Sequence, residues 1–269
     1  MTTAQVLQQL APLRDRALAL ADRLAAAERG NPRFFRGVSV LLLLIVVLGF
    51  GKSFFARPAF ANFPVAPIVL VHGGVMTLWF VVYLAQTFLV SGGFVRLHRW
   101  LGASSIALAC AIVGTIIPTT YGFPMRRFNA DVPGYDFMAD LPHITMVVHG
   151  NTAMLIQFTL LFSLGVLFRR RIETHRRLMT LAAIAVVIPA ASRLNTLFGP
   201  AGVTSELLGI AMAFGLPSLV AIYDFVMTRR FRPVTIFGLG LIYGTLALFG
   251  LIGKSPLGPE ITLRIAGAA

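Results

Sequence analysis

The chain holds a single cysteine, Cys110, so no disulfide forms within it and cysteine usage says nothing about its redox compartment. Acidic residues are nearly as scarce: 10 Asp and Glu face 23 Lys and Arg, and only 12% of the 269 residues are charged. A soluble globular domain carries roughly a quarter charged residues, and so thin a polar coat excludes that class. Nothing between the apolar blocks is long enough for a second folded core, and no low-complexity tract occurs. What is present in excess is apolar, at 57% hydrophobic residues.

These residues fall in blocks of about twenty, the length needed to cross a hydrocarbon layer of roughly 30 Å. The reading is an all-α, multi-pass membrane protein with about seven crossings, near 37–54, 67–90, 98–119, 143–168, 177–197, 205–227 and 233–253. The net charge of +13 is then a topology signal rather than a mark of nucleic-acid binding. Sixteen of the Lys and Arg lie in residues 1–36 and in the second, fourth and sixth turns, including Arg96, Arg99, the Arg169–Arg171 run, Arg176, Arg177, Arg229, Arg230 and Arg232. The other seven are Lys52, Arg57, Arg126, Arg127, Arg193, Lys254 and Arg264. The positive-inside rule predicts that the N-terminus lies in the cytoplasm and the C-terminus outside.

Two regions follow: a cytoplasmic amphipathic helix within residues 1–36, ended by Asn31-Pro32, and a single transmembrane domain over 37–269. In the first, Val6, Leu10, Leu13, Ala17, Leu20 and Leu24 recur at helical steps beside Arg14, Arg16 and Arg23. The first apolar block lacks a small-residue cleavage site and reads as a retained anchor. Asp140 is placed to cap the fourth crossing, with Pro142 in its first turn. Glu206 is placed to pair with Arg193 across a short turn, and Asp224 with nearby Arg229 or Arg230.

The histidines carry the strongest pattern. His72-Gly73 precedes His98-Arg99 by the same interval that separates His149-Gly150 from His175-Arg176. Superposing residues 71–101 on 148–178 also aligns Val71, Leu78, Leu84 and Leu101 with Val148, Leu155, Leu161 and Leu178. This is a repeated helical hairpin, crossings two and three matched to four and five. A helix from His72 to Val90 rises about 27 Å at 1.5 Å per residue, so His72 and His149 share one membrane face and His98 and His175 the other. In a four-helix core built from the repeat, each like-level pair stands across the bundle.

Paired imidazoles at one depth can supply both axial ligands of a b-type haem iron, and two such levels would carry electrons across the membrane. Arg99 and Arg176 are placed as partners for propionates. A metal cluster of Asp136, Asp140, His143 and His149 is an alternative for the outer level. The rival reading is non-redox, a small-solute transporter or a structural subunit of a membrane complex, with interfacial histidines beside arginines that meet lipid head groups. A transporter predicts interrupted helices with polar residues at the midplane, whereas these crossings read as mostly continuous.

The segments RLHRWLGASSIALA and RRRIETHRRLMTLAAIAVVIPAASR resemble a broad, uncharacterised family of bacterial multi-pass membrane proteins, in which one hairpin ends in His-Arg-x-Leu-Gly and a later one in His-Arg-Arg-x-Met. The likeness covers residues 68–200. More loosely, the four-histidine repeat is similar to transmembrane di-haem b-type cytochromes, and His-Arg-x-Leu-Gly resembles the haem-ligating helices of haem A synthase. These likenesses imply two haem b groups, His72 with His149 and His98 with His175, and a role in transmembrane electron transfer or haem handling during respiratory enzyme assembly. A membrane oxidoreductase and a redox partner or respiratory complex are the corresponding expectations.

Overall fold

A computed structural model describes Pro12, Arg14, Arg16 and residues 31–60, 65–130, 132–195 and 205–268. The amphipathic helix expected in residues 1–36 lies almost wholly outside them, as does the side chain of Glu206 and hence its expected pair with Arg193. The described chain is all helix and forms a multi-pass membrane protein. Its helices are α1 (Pro32–Gly49), α2 (Pro67–Ser91), α3 (Val95–Tyr121), α4 (Phe123–Phe128), α5 (Phe137–Leu167), α6 (Ile172–Ala185), α7 (Ile188–Ser192), α8 (Ser205–Thr228), α9 (Pro233–Lys254) and α10 (Leu257–Ala266). Leu44, Val71, Leu78, Phe88, Ile106, Ile222 and Leu251 are exposed on the long helices, as lipid-facing side chains must be.

Local chemistry sets the helix ends. Asn31 caps α1, its side chain accepting from Arg33 N–H at 2.9 Å, and its own N–H donates to the Tyr223 hydroxyl at the end of α8. Pro32, Pro67 and Pro233 open their helices where a missing N–H removes no bond. Asp136, not Asp140, caps α5, accepting from Met138 and Ala139 N–H at 2.8 and 3.2 Å. Asp140 instead binds Arg127 at 2.7 Å and the Tyr135 hydroxyl at 2.9 Å, because the α4 loop folds back over the start of α5. Burial, and donation of its proton to Asp140, push the Tyr135 phenol above its ordinary range.

Among the described residues, six helices are long and apolar enough to cross a membrane singly: α1, α2, α3 with α4, α5, α8 and α9. The fifth crossing is α6 and α7 end to end, broken at Val186 and Val187. Pro189 has no N–H to offer the carbonyl four residues back, and its ring crowds that turn. The break is tolerable in a membrane because protein encloses it: Ile184, Ala185, Val186, Val187, Ala190 and Ala191 are all buried. Arg193 donates to the Pro189 carbonyl at 2.5 Å and lies over the Phe50 ring, closing the far end. Ser192 donates to the same carbonyl at 3.1 Å.

This central crossing is packed by α1, α5, α8 and α9, while α2 and α3 form the neighbouring hairpin against α1 and α5. At the arginine-rich end it is held by charge. Arg177, 1% exposed, donates to Asp224, 0% exposed, at 2.5 and 2.9 Å, and to Glu173 at 2.6 Å. Asp224 also accepts from the Thr235 hydroxyl at 2.5 Å, so α6, α8 and α9 meet on one carboxylate. Asp224 is thus paired with Arg177 rather than with Arg229 or Arg230.

Removing one partner of such a buried pair leaves a charge without compensation, which costs roughly 3–5 kcal/mol. Asp224→Ala is expected to destabilise the detergent-solubilised protein by about that much, read from denaturant midpoints. Arg177→Met combined with Asp224→Leu is expected to recover most of the loss.

Candidate functional site

Both hairpins place a histidine in the first turns of the returning helix. His98 is the fourth residue of α3 and His175 the fourth of α6, each following a short turn. Gly93 makes the first turn possible, with φ at +81°, a left-handed conformation that side chains rarely adopt.

The structure brings His98 and His175 together. Their ring centroids lie 6.4 Å apart with the planes at 79°. Each ring is held by its own hairpin. His175 Nδ1 is 2.7 Å from the Gly165 carbonyl, one of the oxygens that the end of α5 leaves without a helical partner. A carbonyl only accepts, so Nδ1 carries the proton and Nε2 is left with its lone pair.

His98 is held the opposite way. The Gln86 amide on α2 lies against the α3 backbone, its carbonyl accepting from Gly102 N–H at 2.8 Å and its NH₂ donating to the His98 carbonyl at 3.2 Å. These two backbone groups decide the amide's orientation, and in it the same NH₂ also meets His98 Nδ1. Nδ1 therefore accepts, and the ring proton sits on Nε2. Gly102, the glycine of the His-Arg-x-Leu-Gly segment, lies beside the Gln86 amide, where a Cβ would be in ordinary contact with it at 3.5 Å. In the sequence, Gln86 is only one polar residue inside an apolar crossing. Its closeness to His98 depends on how α2 and α3 fold against each other.

His72 and His149 are not brought together. Thr115 spends its hydroxyl proton on the Ala111 carbonyl, so it accepts from His72 Nδ1 at 3.0 Å and turns that ring toward α3. His149, 5% exposed, donates Nδ1–H to the Thr145 carbonyl at 2.9 Å and packs against Phe249 and Gly253 of α9. The two rings make no contact, because α2 and α5 meet through Trp79, Phe158 and Phe162 while α9 covers the far end of α5.

Of the two arginines, Arg99 is exposed, whereas Arg176 binds Glu173 at 2.5 Å and lies 4.2 Å over the Phe35 ring. His143 is exposed. Among the described residues, no three His, Cys, Asp or Glu side chains converge as a metal site, and Asp136 and Asp140 are committed to the α5 cap and to Arg127.

The tautomers are measurable. In ¹⁵N-histidine NMR of the protein in lipid, His98 is expected as the Nε2–H form and His72, His149 and His175 as Nδ1–H forms. Gln86→Leu is expected to remove the Nε2–H signal of His98 alone; an unchanged signal shows that Gln86 does not set the ring.

No protein-family model matches the chain, and neither the curated proteins nor the solved structures contain a match to it, so its function is read from the geometry of this site.

Proposed function

We propose that this is a bacterial inner-membrane redox protein that holds one b-type haem between His98 and His175 at its cytoplasmic end. The carrying observation is the 6.4 Å between the two ring centroids. Two metal–nitrogen bonds of about 2 Å and the distance from each ring centre to its nitrogen span roughly 6 Å. His175 already has the form of a ligand, with Nδ1–H bound to a backbone carbonyl and Nε2 open. To hold the group, His98 would carry its proton on Nδ1 with the Gln86 amide reversed, at the cost of that amide's bonds to the α3 backbone. α3 and α6 are not packed along their lengths, which leaves the histidines, not helix contacts, to bridge them. Exposed Arg99 is the nearer partner for a propionate, since Arg176 is engaged by Glu173.

Bound there, the group supplies a one-electron carrier. The chain's own residues hold it at one level only, so electrons are exchanged with a partner at the cytoplasmic face, and the pairing of His72 with His149 is not carried forward. The cytoplasmic assignment rests on the sixteen-to-seven division of Lys and Arg, which puts the N-terminus inside and the C-terminus outside.

The donor tautomer of His98 favours a second reading. With a proton on Nε2 of one ring and a lone pair on Nε2 of the other, a proton taken up at His98 Nδ1 is relayed by release of the Nε2 proton to His175, which suits a proton-coupled small-solute transporter.

Absorption separates the two. Protein made with ample haem is expected to be red and to show a b-type difference spectrum on dithionite reduction. His98→Ala and His175→Ala each abolish it, while His72→Ala and His149→Ala leave it intact. A colourless, folded, monodisperse wild type sinks the haem and leaves the proton pair. For the orientation, a Cys110→Ala background with cysteine at Asn129 is expected to react with an impermeant reagent in intact cells, and one with cysteine at Thr174 to stay unlabelled.

A further inference from the structure

Tyr83 and Thr180 meet inside the bundle, behind the histidine pair. The Tyr83 hydroxyl on α2 donates to Thr180 Oγ1 on α6 at 2.9 Å, with the two side chains 6% and 1% exposed. Thr180 spends its own proton on the Arg176 carbonyl at 2.8 Å, so toward Tyr83 it can only accept. That carbonyl belongs to the residue next to His175. On the other side, Gln86 follows Tyr83 by one turn, on the same stripe of α2, and it is the residue that binds His98. Hydrogen bonds therefore lead from the histidine of α3, through Gln86 and Tyr83 on α2, to the helix that carries the histidine of α6.

Packing does not duplicate this path. α6 is packed by α1, α5, α8 and α9, and neither α2 nor α3 packs along it. The Tyr83 ring fills the core with or without its hydroxyl, whereas a hydroxyl inside a membrane protein is costly unless it finds a partner. Tyr83 lies one turn before Gln86 and Thr180 somewhat more than one turn after His175, so at 1.5 Å per residue the bond sits about 5–8 Å deeper than the pair. From there it limits how far α6 can lean away from the hairpin of α2 and α3. The repeat does not supply it twice, since Leu160 and Ser163 occupy the places that match Tyr83 and Gln86.

Resting on the reading of His98 and His175 as the working site, we propose that Tyr83 is its positioning residue: the bond to Thr180 holds α6 at the distance that leaves the two rings 6.4 Å apart.

That distance is measurable without haem. In solid-state NMR of the full chain in lipid, with histidine alone labelled with ¹³C and ¹⁵N, the wild type is expected to show a cross-peak between the His98 and His175 rings. Tyr83→Phe and Thr180→Val are each expected to remove it, and Thr180→Ser to keep it. Tyr243→Phe is the control for lost stability alone: it deletes a phenol bonded to Ser218 at 2.7 Å and to the Phe214 carbonyl at 2.8 Å, between α8 and α9, and the cross-peak stays. In haem-loaded protein, Tyr83→Phe is expected to turn part of the low-spin ferric EPR signal high-spin and to speed haem transfer to apomyoglobin about fivefold, the weight of one buried hydrogen bond. A cross-peak retained in folded Tyr83→Phe overturns the proposal; where that variant does not fold, a cross-peak retained in Thr180→Val does so. A wild type without the cross-peak, or its loss in Tyr243→Phe, overturns it as well. A colourless wild type whose cross-peak responds as expected sinks the haem alone and leaves the role of Tyr83 standing.

Discussion

Everything at the arginine-rich end depends on the pairing of Arg177 with Asp224. A charge inside a bilayer-embedded bundle is tolerated only when another group compensates it, and here one carboxylate receives both the guanidinium and the Thr235 hydroxyl. That requirement brings the starts of α6 and α9 to the end of α8. It also fixes the rotation of α6 about its axis, and so the direction of His175, which lies two residues before Arg177. Arg176, on the adjoining face, is used to seat α1 through Phe35. Consecutive arginines in one helical turn thus serve two interfaces, and neither is left for solvent.

The central crossing is the other organising element. A helix surrounded by four neighbours has no lipid-facing side, which is why Leu181, Ala182, Ala183 and Ile184 are completely buried and why small residues dominate it. Close approach follows: Gly49 on α1 meets the Ala190 backbone with no space for a Cβ, and Gly238 on α9 meets Leu181 likewise. Such enclosure is what permits the break at Val186 and Val187. At the far end the Pro189 carbonyl is answered within protein by Arg193.

Repetition in the sequence became repetition in the fold only in part. Both hairpins exist and both place a histidine in the first turn of the returning helix, where each ring ties its helix to the preceding one. The far-end histidines diverge because their surroundings differ. His72 lies on a helix at the edge of the bundle and meets α3, whereas His149 lies on a helix flanked by α9 and α10 and is buried among them. Equal spacing along the chain sets equal depth, since depth follows from rise per residue. It does not set which way a ring points, which depends on the neighbours that enclose each helix.

The sequence by itself determined the membrane class, the positions of the crossings and the level of each histidine, because these follow from apolar block length, helical rise and the placement of arginine. It also marked Asp224 as a charged group in need of a partner, but pointed to Arg229 or Arg230 rather than to Arg177. Only the tertiary structure decided that Arg177 answers Asp224, that Gln86 sets the proton on His98, that Asp136 rather than Asp140 caps α5, and that one histidine pair closes while the other does not. The physical reason is the same in each case. Local periodicity and charge placement act along the chain, whereas hydrogen-bond partners and ring orientations are chosen between helices far apart in sequence, by whichever packing leaves no buried charge or donor uncompensated.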